Sequence, residues 1–154
     1  MKKLLVVLLM VFMFIPSIYG ETEYKVMNFD EVLTEEGIEH DFSNYTESDD
    51  KITIYFFRGK GCKFCRAFLS YLNDIVPEYG KYFNVIAYDV WNDRNSDKLL
   101  DEVSEFLNQP SEGIPYAIIG DTVFNGYSTD YDEAIKEAIK NTNKIYHYIE
   151  NLTK

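Results

Sequence analysis

Lys51-Ile-Thr-Ile-Tyr-Phe-Phe57, then Arg58-Gly-Lys-Gly61, then Cys62-Lys-Phe-Cys65 is the run that orders the rest of the chain. Its first part is β-branched and aromatic with little polar alternation, as expected of a central strand covered on both faces. Arg58 to Gly61 then reads as a short loop. Beyond it, apolar residues recur at Phe64, Phe68, Leu69, Leu72, Ile75 and Val76, spacings of three and four that predict one side of a helix. Pro77 and Gly80 are expected to mark its end. The two cysteines therefore fall where a strand–loop unit turns into a helix.

Toward the C-terminus, Phe83 to Asp89 reads as a second strand, followed by a helix from about Asp97 to Asn108 with Leu99, Leu100, Val103, Phe106 and Leu107 on one face. Gly113-Ile114-Pro115 leads into a strand ending at Ile119, and Gly120-Asp121 suits a tight turn into Thr122 to Asn125, giving an antiparallel hairpin. A terminal helix begins after Thr129-Asp130, either of which can cap it, with Ile135, Ala138, Ile139, Thr142, Ile145 or Tyr146, and Ile149 at helical spacing. Toward the N-terminus, Tyr24 to Met27 reads as an edge strand, Phe29 to Glu36 as a short helix and the acidic Gly37 to Asp50 as surface loop. The expectation is an α/β fold: a central mixed sheet of four to five strands flanked by helices, in one domain over 21–154.

Lys2-Lys3, an uncharged stretch from Leu4 to Ile15, and Pro16-Ser-Ile-Tyr-Gly20 before the acidic Glu21 follow the order of an export signal. Cleavage after Gly20 is the preferred reading of 1–20. Ile18 is bulky for the position three before the cut, which leaves an uncleaved N-terminal anchor as the alternative. Both place the domain outside a bacterial cytoplasm, whether secreted, periplasmic or on the cell surface, and contact with a membrane is expected only if the segment stays attached. The net charge of -11 becomes more negative still, by two, when Lys2 and Lys3 leave. Such an acidic surface disfavours nucleic acid as a partner. Asn44 and Asn151 begin Asn-x-Ser/Thr triplets, read as chance matches. With 46% hydrophobic residues, 16% of the chain being aromatic, a packed core is within reach and a disordered or fibrous chain is disfavoured. The chain is read as a monomer.

The chain has two cysteines, with two residues between them. A stapled secreted scaffold spreads several pairs along the sequence. Closing so short a loop restrains the unfolded chain little, so a purely structural disulfide is disfavoured. Zinc needs about four ligands, and the remaining soft donors, His40 and His147, are not in a paired spacing. No metal is expected, and no cofactor beyond a redox-active Cys62–Cys65 disulfide.

A strand ending in Tyr55-Phe56-Phe57, a short loop, Cys62-Lys63-Phe64-Cys65 opening a helix, and Gly113-Ile114-Pro115 before a hairpin and terminal helix together resemble the thioredoxin superfamily over nearly all of 21–154. The resemblance implies a thioredoxin-like fold and a thiol–disulfide oxidoreductase acting on the thiols and disulfides of exported proteins, with a separate redox partner. It also implies that Pro115 is cis and faces the cysteines, and that Ile114 offers main-chain hydrogen bonds to substrate. Gly126 is similar to the family glycine that lets backbone approach the site; a plain turn glycine is an equal reading. Phe56 stands where thioredoxins carry a buried aspartate, and Gly61 where an aromatic precedes the first cysteine. Phe64 before Cys65 is closer to glutaredoxins and bacterial disulfide isomerases. Gly59-Lys-Gly-Cys-Lys-Phe-Cys-Arg66 resembles the small exported bacteriocin transport accessory proteins. An accessory or binding protein with a non-catalytic or redox-sensing pair is the alternative.

Exchange requires a thiolate, and Cys62 at a helix N-terminus meets the positive end of the macrodipole, which lowers its pKa from the free value of about 8.5. From Lys51 to Asn73 the chain carries Lys51, Arg58, Lys60, Lys63 and Arg66 and no acid. These cations either lie solvated on the surface or, for Lys60 and Lys63, stabilise the thiolate. Lys60, Gly61, Lys63, Phe64, Ile114 and Pro115 are the residues expected to bind substrate and tune Cys62. Cys65, one turn in, is expected to be more buried and to resolve mixed disulfides. Phe57, Phe64 and Tyr116 are expected to rim the pair, with ordinary core packing as the other reading of each. His147 reads as packing or surface, and Trp91 has no assigned role.

Overall fold

The computed structural model describes residues 23–153, with side chains through residue 142. The leader at 1–20 lies outside the described residues, as do the side chains of His147 and Asn151. In chain order the elements are β1 (Val26–Met27), α1 (Phe29–Glu35), β2 (Ile52–Arg58), α2 (Lys63–Tyr79), β3 (Phe83–Asp89), α3 (Arg94–Phe106), β4 (Tyr116–Ile119), β5 (Thr122–Asn125), a 3-10 turn at Thr129–Tyr131 and α4 (Asp132–Thr153). The strands form one mixed sheet in the order β1-β3-β2-β4-β5. β2 and β3 are parallel, and the other pairs are antiparallel. The expected α/β architecture with a central mixed sheet is thus present, with β2 in the middle. Among the described residues no helix is long and apolar enough to cross a membrane.

The period-2 alternation of β2 sorts its side chains. Ile52, Ile54 and Phe56 join Phe29, Val32 and Leu33 of α1, Phe68, Leu69 and Leu72 of α2, and Ile135 and Ile139 of α4 in the main core. Phe57 faces the other way, into a smaller cluster with Val90, Leu100 and Tyr116 under α3. α3 covers only part of that second face, so Tyr55 is exposed and β2 is not covered on both sides along its length as the sequence suggested.

Several boundaries moved for identifiable reasons. Pro77 does not end α2: it sits in the last turn, and the helix stops at Gly80, whose N–H still donates to the Val76 carbonyl at 2.8 Å. α3 starts at Arg94 rather than Asp97 because Asp93 caps it, accepting from the backbone N–H groups of Asn95 and Ser96 at 3.2 and 3.1 Å. Phe106, expected on the apolar face of α3, is its last residue and is 88% exposed. The stretch from Gly37 to Asp50 is irregular, yet it is more than surface: Tyr45 is buried with Phe42 packed beside it, Phe42 stacking on Phe29 of α1 and Tyr45 meeting that ring edge-on. A capping box fixes the start of α1, Asn28 and Glu31 each accepting the other's backbone N–H at 2.9 Å.

Candidate redox site

β2 delivers the chain to the site, and Gly59 to Gly61 turn it into α2. Gly61 takes φ 78°, in the left-handed region that a side chain would disfavour. The Cys62 N–H donates to the Gly59 carbonyl at 3.0 Å, closing the turn. Cys62 is then the N-cap of α2 in extended conformation, and its Sγ accepts the Cys65 N–H at 3.2 Å. One of the orphan donors of the helix start is thus spent on the sulfur. The two cysteines are joined as a disulfide with Cα atoms 5.2 Å apart.

Burial of the pair is asymmetric, and in the expected sense. Cys65 is wholly enclosed in the main core, beside Phe56 and Phe68, while Cys62 is 7% exposed. Cys62 is nevertheless less open than a surface nucleophile, with only an edge of it reachable. Phe64 is the neighbour that projects, at 57% exposed, because it sits in the first turn of α2 and misses the core that Cys65 and Phe68 enter. Phe57 and Tyr116 do not rim the pair: both are buried on the opposite sheet face, stacked edge-on at 6.2 Å. The strand's alternation, which turns Phe57 away from Phe56, is the reason.

Ile114–Pro115 is a cis peptide. Tyr116 of β4 pairs with Phe57 of β2 in antiparallel register, so Pro115 follows at the Arg58 end of β2, where the loop to Cys62 departs. Ile114 is half-buried and packs against both core clusters. Gly126, at φ 86°, donates its N–H to the Pro115 carbonyl at 2.7 Å, closing the base of the hairpin. It serves the proline's backbone and has turn geometry as well.

The acid-free character of residues 51–73 does not survive folding. Arg58, expected in the loop, is the last residue of β2 and continues the inward row of Ile52, Ile54 and Phe56, so its guanidinium is fully buried. It meets the C-terminal end of α1: Nη1 donates to Glu36 Oε1 at 2.6 Å, and Nη2 pairs with Glu35. Lys60 reaches Glu35 at 3.7 Å from an exposed position. Arg66 does not point idly into water, since its Nη1 donates to the Glu36 carbonyl at 2.6 Å. Lys63 is exposed and enters no ion pair with a described residue. Of the two cations named for thiolate stabilisation, Lys60 is thus shared with an acid and Lys63 is not.

Two further residues belong to the site that sequence alone did not assign. Glu36, 6% exposed, accepts the Gly61 N–H at 3.2 Å through the same oxygen that meets Arg58. Trp91, 61% exposed, lies against Gly59, where any Cβ would run into the indole. The buried Asp89 carboxylate holds that corner, accepting the backbone N–H groups of Trp91 and Asn92 at 3.1 and 3.2 Å and the Asn92 side chain at 2.8 Å. The Val90 N–H donates to the Arg58 carbonyl at 2.9 Å, tying this turn to the end of β2. The lone tryptophan followed by a polar run was the available signal. His40 binds the Ile38 carbonyl and Asp30 at 2.8 and 2.7 Å. The Ile38 hydrogen bond, with Asp30 adding to it, raises the pKa of His40 above its ordinary value. Among the described residues no group of three or more His, Cys, Asp or Glu side chains converges as metal ligands.

These features define an α/β protein with a five-stranded mixed sheet and a Cys-x-x-Cys disulfide at the start of the helix after its central strand. No protein-family model, curated protein or solved structure matches the chain.

Proposed function

We propose that the chain adopts a thioredoxin-like fold and is an extracytoplasmic thiol–disulfide oxidoreductase that exchanges the disulfides of exported proteins through Cys62 and Cys65. The observation that carries this is the pairing of the two sulfurs at the first turn of α2, with Cys62 outermost and accepting the Cys65 N–H. In the reducing direction the Cys62 thiolate attacks one sulfur of a substrate disulfide and expels the other as a thiolate, leaving a mixed disulfide. The Cys65 thiolate then attacks Cys62 Sγ and expels the second substrate thiolate, so the substrate gains two electrons and the Cys62–Cys65 bond forms. The oxidising direction is the same sequence reversed. Phe64 and Ile114-Pro115 supply the apolar and main-chain surfaces beside the reacting sulfur.

Insulin reduction with dithiothreitol tests the reading. The wild type is expected to accelerate precipitation of the insulin B chain, and Cys62→Ser to run at the uncatalysed rate. Equal rates for both proteins would sink the proposal and favour the accessory-protein alternative, to which the slight exposure of Cys62 lends some support. A potential near about −270 mV against glutathione marks a reductant, one near about −120 mV an oxidant.

Of Lys60 and Lys63, Lys63 has no acid among the described residues beside it, so of the two its charge is the one still available to the thiolate. Lys63→Ala is expected to raise the Cys62 pKa by less than about one unit, since water and salt screen an exposed charge. The pH dependence of iodoacetamide alkylation reads the change, and the difference should shrink further in 1 M salt. An unchanged alkylation profile at low salt would remove the role given to Lys63.

A further inference from the structure

One residue touches the chain on both sides of the cysteine pair. The Glu36 side chain accepts the N–H of Gly61, immediately before Cys62, and its carbonyl accepts from Arg66, immediately after Cys65. Its carboxylate is also the partner of the fully buried Arg58, whose second nitrogen goes to Glu35. The charges packed around the turn are therefore Glu35, Glu36, Arg58, Lys60 and Arg66, with the buried Asp89 beside Arg58 on β3 and Lys63 outside. With Glu36 and Cys65 buried beneath the turn, a charge this close is felt by a sulfur that changes from bonded to thiolate during the reaction cycle.

We propose that Glu36 is a positioning residue that sets the reduction potential of the Cys62–Cys65 pair, holding the turn through Gly61 and opposing the thiolate with its carboxylate. This rests on the pair being a working dithiol. The sign follows from linkage. Negative charge beside Cys62 disfavours the thiolate, raises the Cys62 pKa and so disfavours the reduced state. Glu36 thus acts against the α2 dipole and Lys63, and keeps the couple less oxidising than the helix terminus alone would make it. Glu35 adds to the effect at a distance, since it meets Arg58 and Lys60 but not the Gly61 N–H.

Glu36→Gln separates charge from geometry, because the amide oxygen can still accept from Gly61 while the charge is gone. In glutathione redox buffers, followed by alkylation and gel shift, this variant of the full chain is expected to be reduced about tenfold more readily, equivalent to about 30 mV. Its Cys62 alkylation profile is expected to move to lower pH. Glu35→Gln, at a partly exposed position, is expected to shift both readouts the same way by less. A folded Glu36→Gln with the wild-type equilibrium overturns the proposal. So does a Glu36→Gln that fails to fold together with a folded Glu35→Gln that moves neither readout. The glutathione equilibrium reads the pair itself, so a wild type inactive on insulin would defeat the proposed function while leaving this test standing.

Discussion

With Cys65 replaced by serine, the protein is expected to accumulate in covalent complex with its substrates. Cys62 at the N-cap of α2 keeps its helix-end environment in this variant, so the first attack proceeds. The second attack needs a thiolate at the buried position one turn in, and a serine hydroxyl does not ionise in the accessible pH range. The mixed disulfide then waits for an external thiol, and its lifetime rises from transient to long enough to be seen on a non-reducing gel. The double variant Cys62→Ser/Cys65→Ser is expected to give no such bands, which separates trapping from adhesion. A Cys65→Ser protein that forms no adducts with oxidised protein substrates, while Cys62 remains alkylatable, would refute the division of labour between the two sulfurs.

Arg58→Ala is expected to be the most destabilising single change at the site. The guanidinium is fully enclosed and its removal leaves the Glu36 carboxylate buried with the Gly61 N–H as its remaining side-chain hydrogen bond. Breaking a buried ion pair from one side typically costs about 3–5 kcal/mol, a large part of a total stability of about 5–15 kcal/mol. The native pair is not ideal, because Arg58 Nε is buried without a hydrogen-bond partner. Replacing both charges with apolar residues, Arg58→Met with Glu36→Leu, is therefore expected to recover much of the loss, as buried pairs exchanged whole are often near neutral. Urea unfolding midpoints measure both. A loss below about 1 kcal/mol for Arg58→Ala would show that water reaches Glu36 and that the pair is not buried in solution.

Much of the architecture was legible because it is encoded locally. The apolar run of β2, the three–four spacing after Cys65 and the Gly120-Asp121 turn each carry their own period or punctuation. The site was legible only along the chain. Glu36 reads as the unremarkable end of a short helix, and Arg58 as a loop cation, until strand parity turns Arg58 inward beneath that helix end. Contacts separated by 22 to 25 residues leave no periodic trace. Phe57 and Tyr116 show the same limit from the other side: residue type suggested an aromatic rim, whereas the pleat sent both to the far cluster and left Phe64 exposed beside the cysteines. Trp91 was conspicuous by type, but its seat on Gly59 depends on β3 running beside β2.

The central place of β2 in the sheet also bears on the order of events as the chain emerges. Both strands that flank it, β3 and β4, follow it in sequence, so the middle of the sheet has nothing to pair with until β3 and β4 have been made. Such pairings wait on the closure of long loops and are slow. Cys62 and Cys65, three positions apart, need no such closure. In an oxidising setting their bond can form while β2 is still alone, and the sheet then assembles around a pair that is already closed.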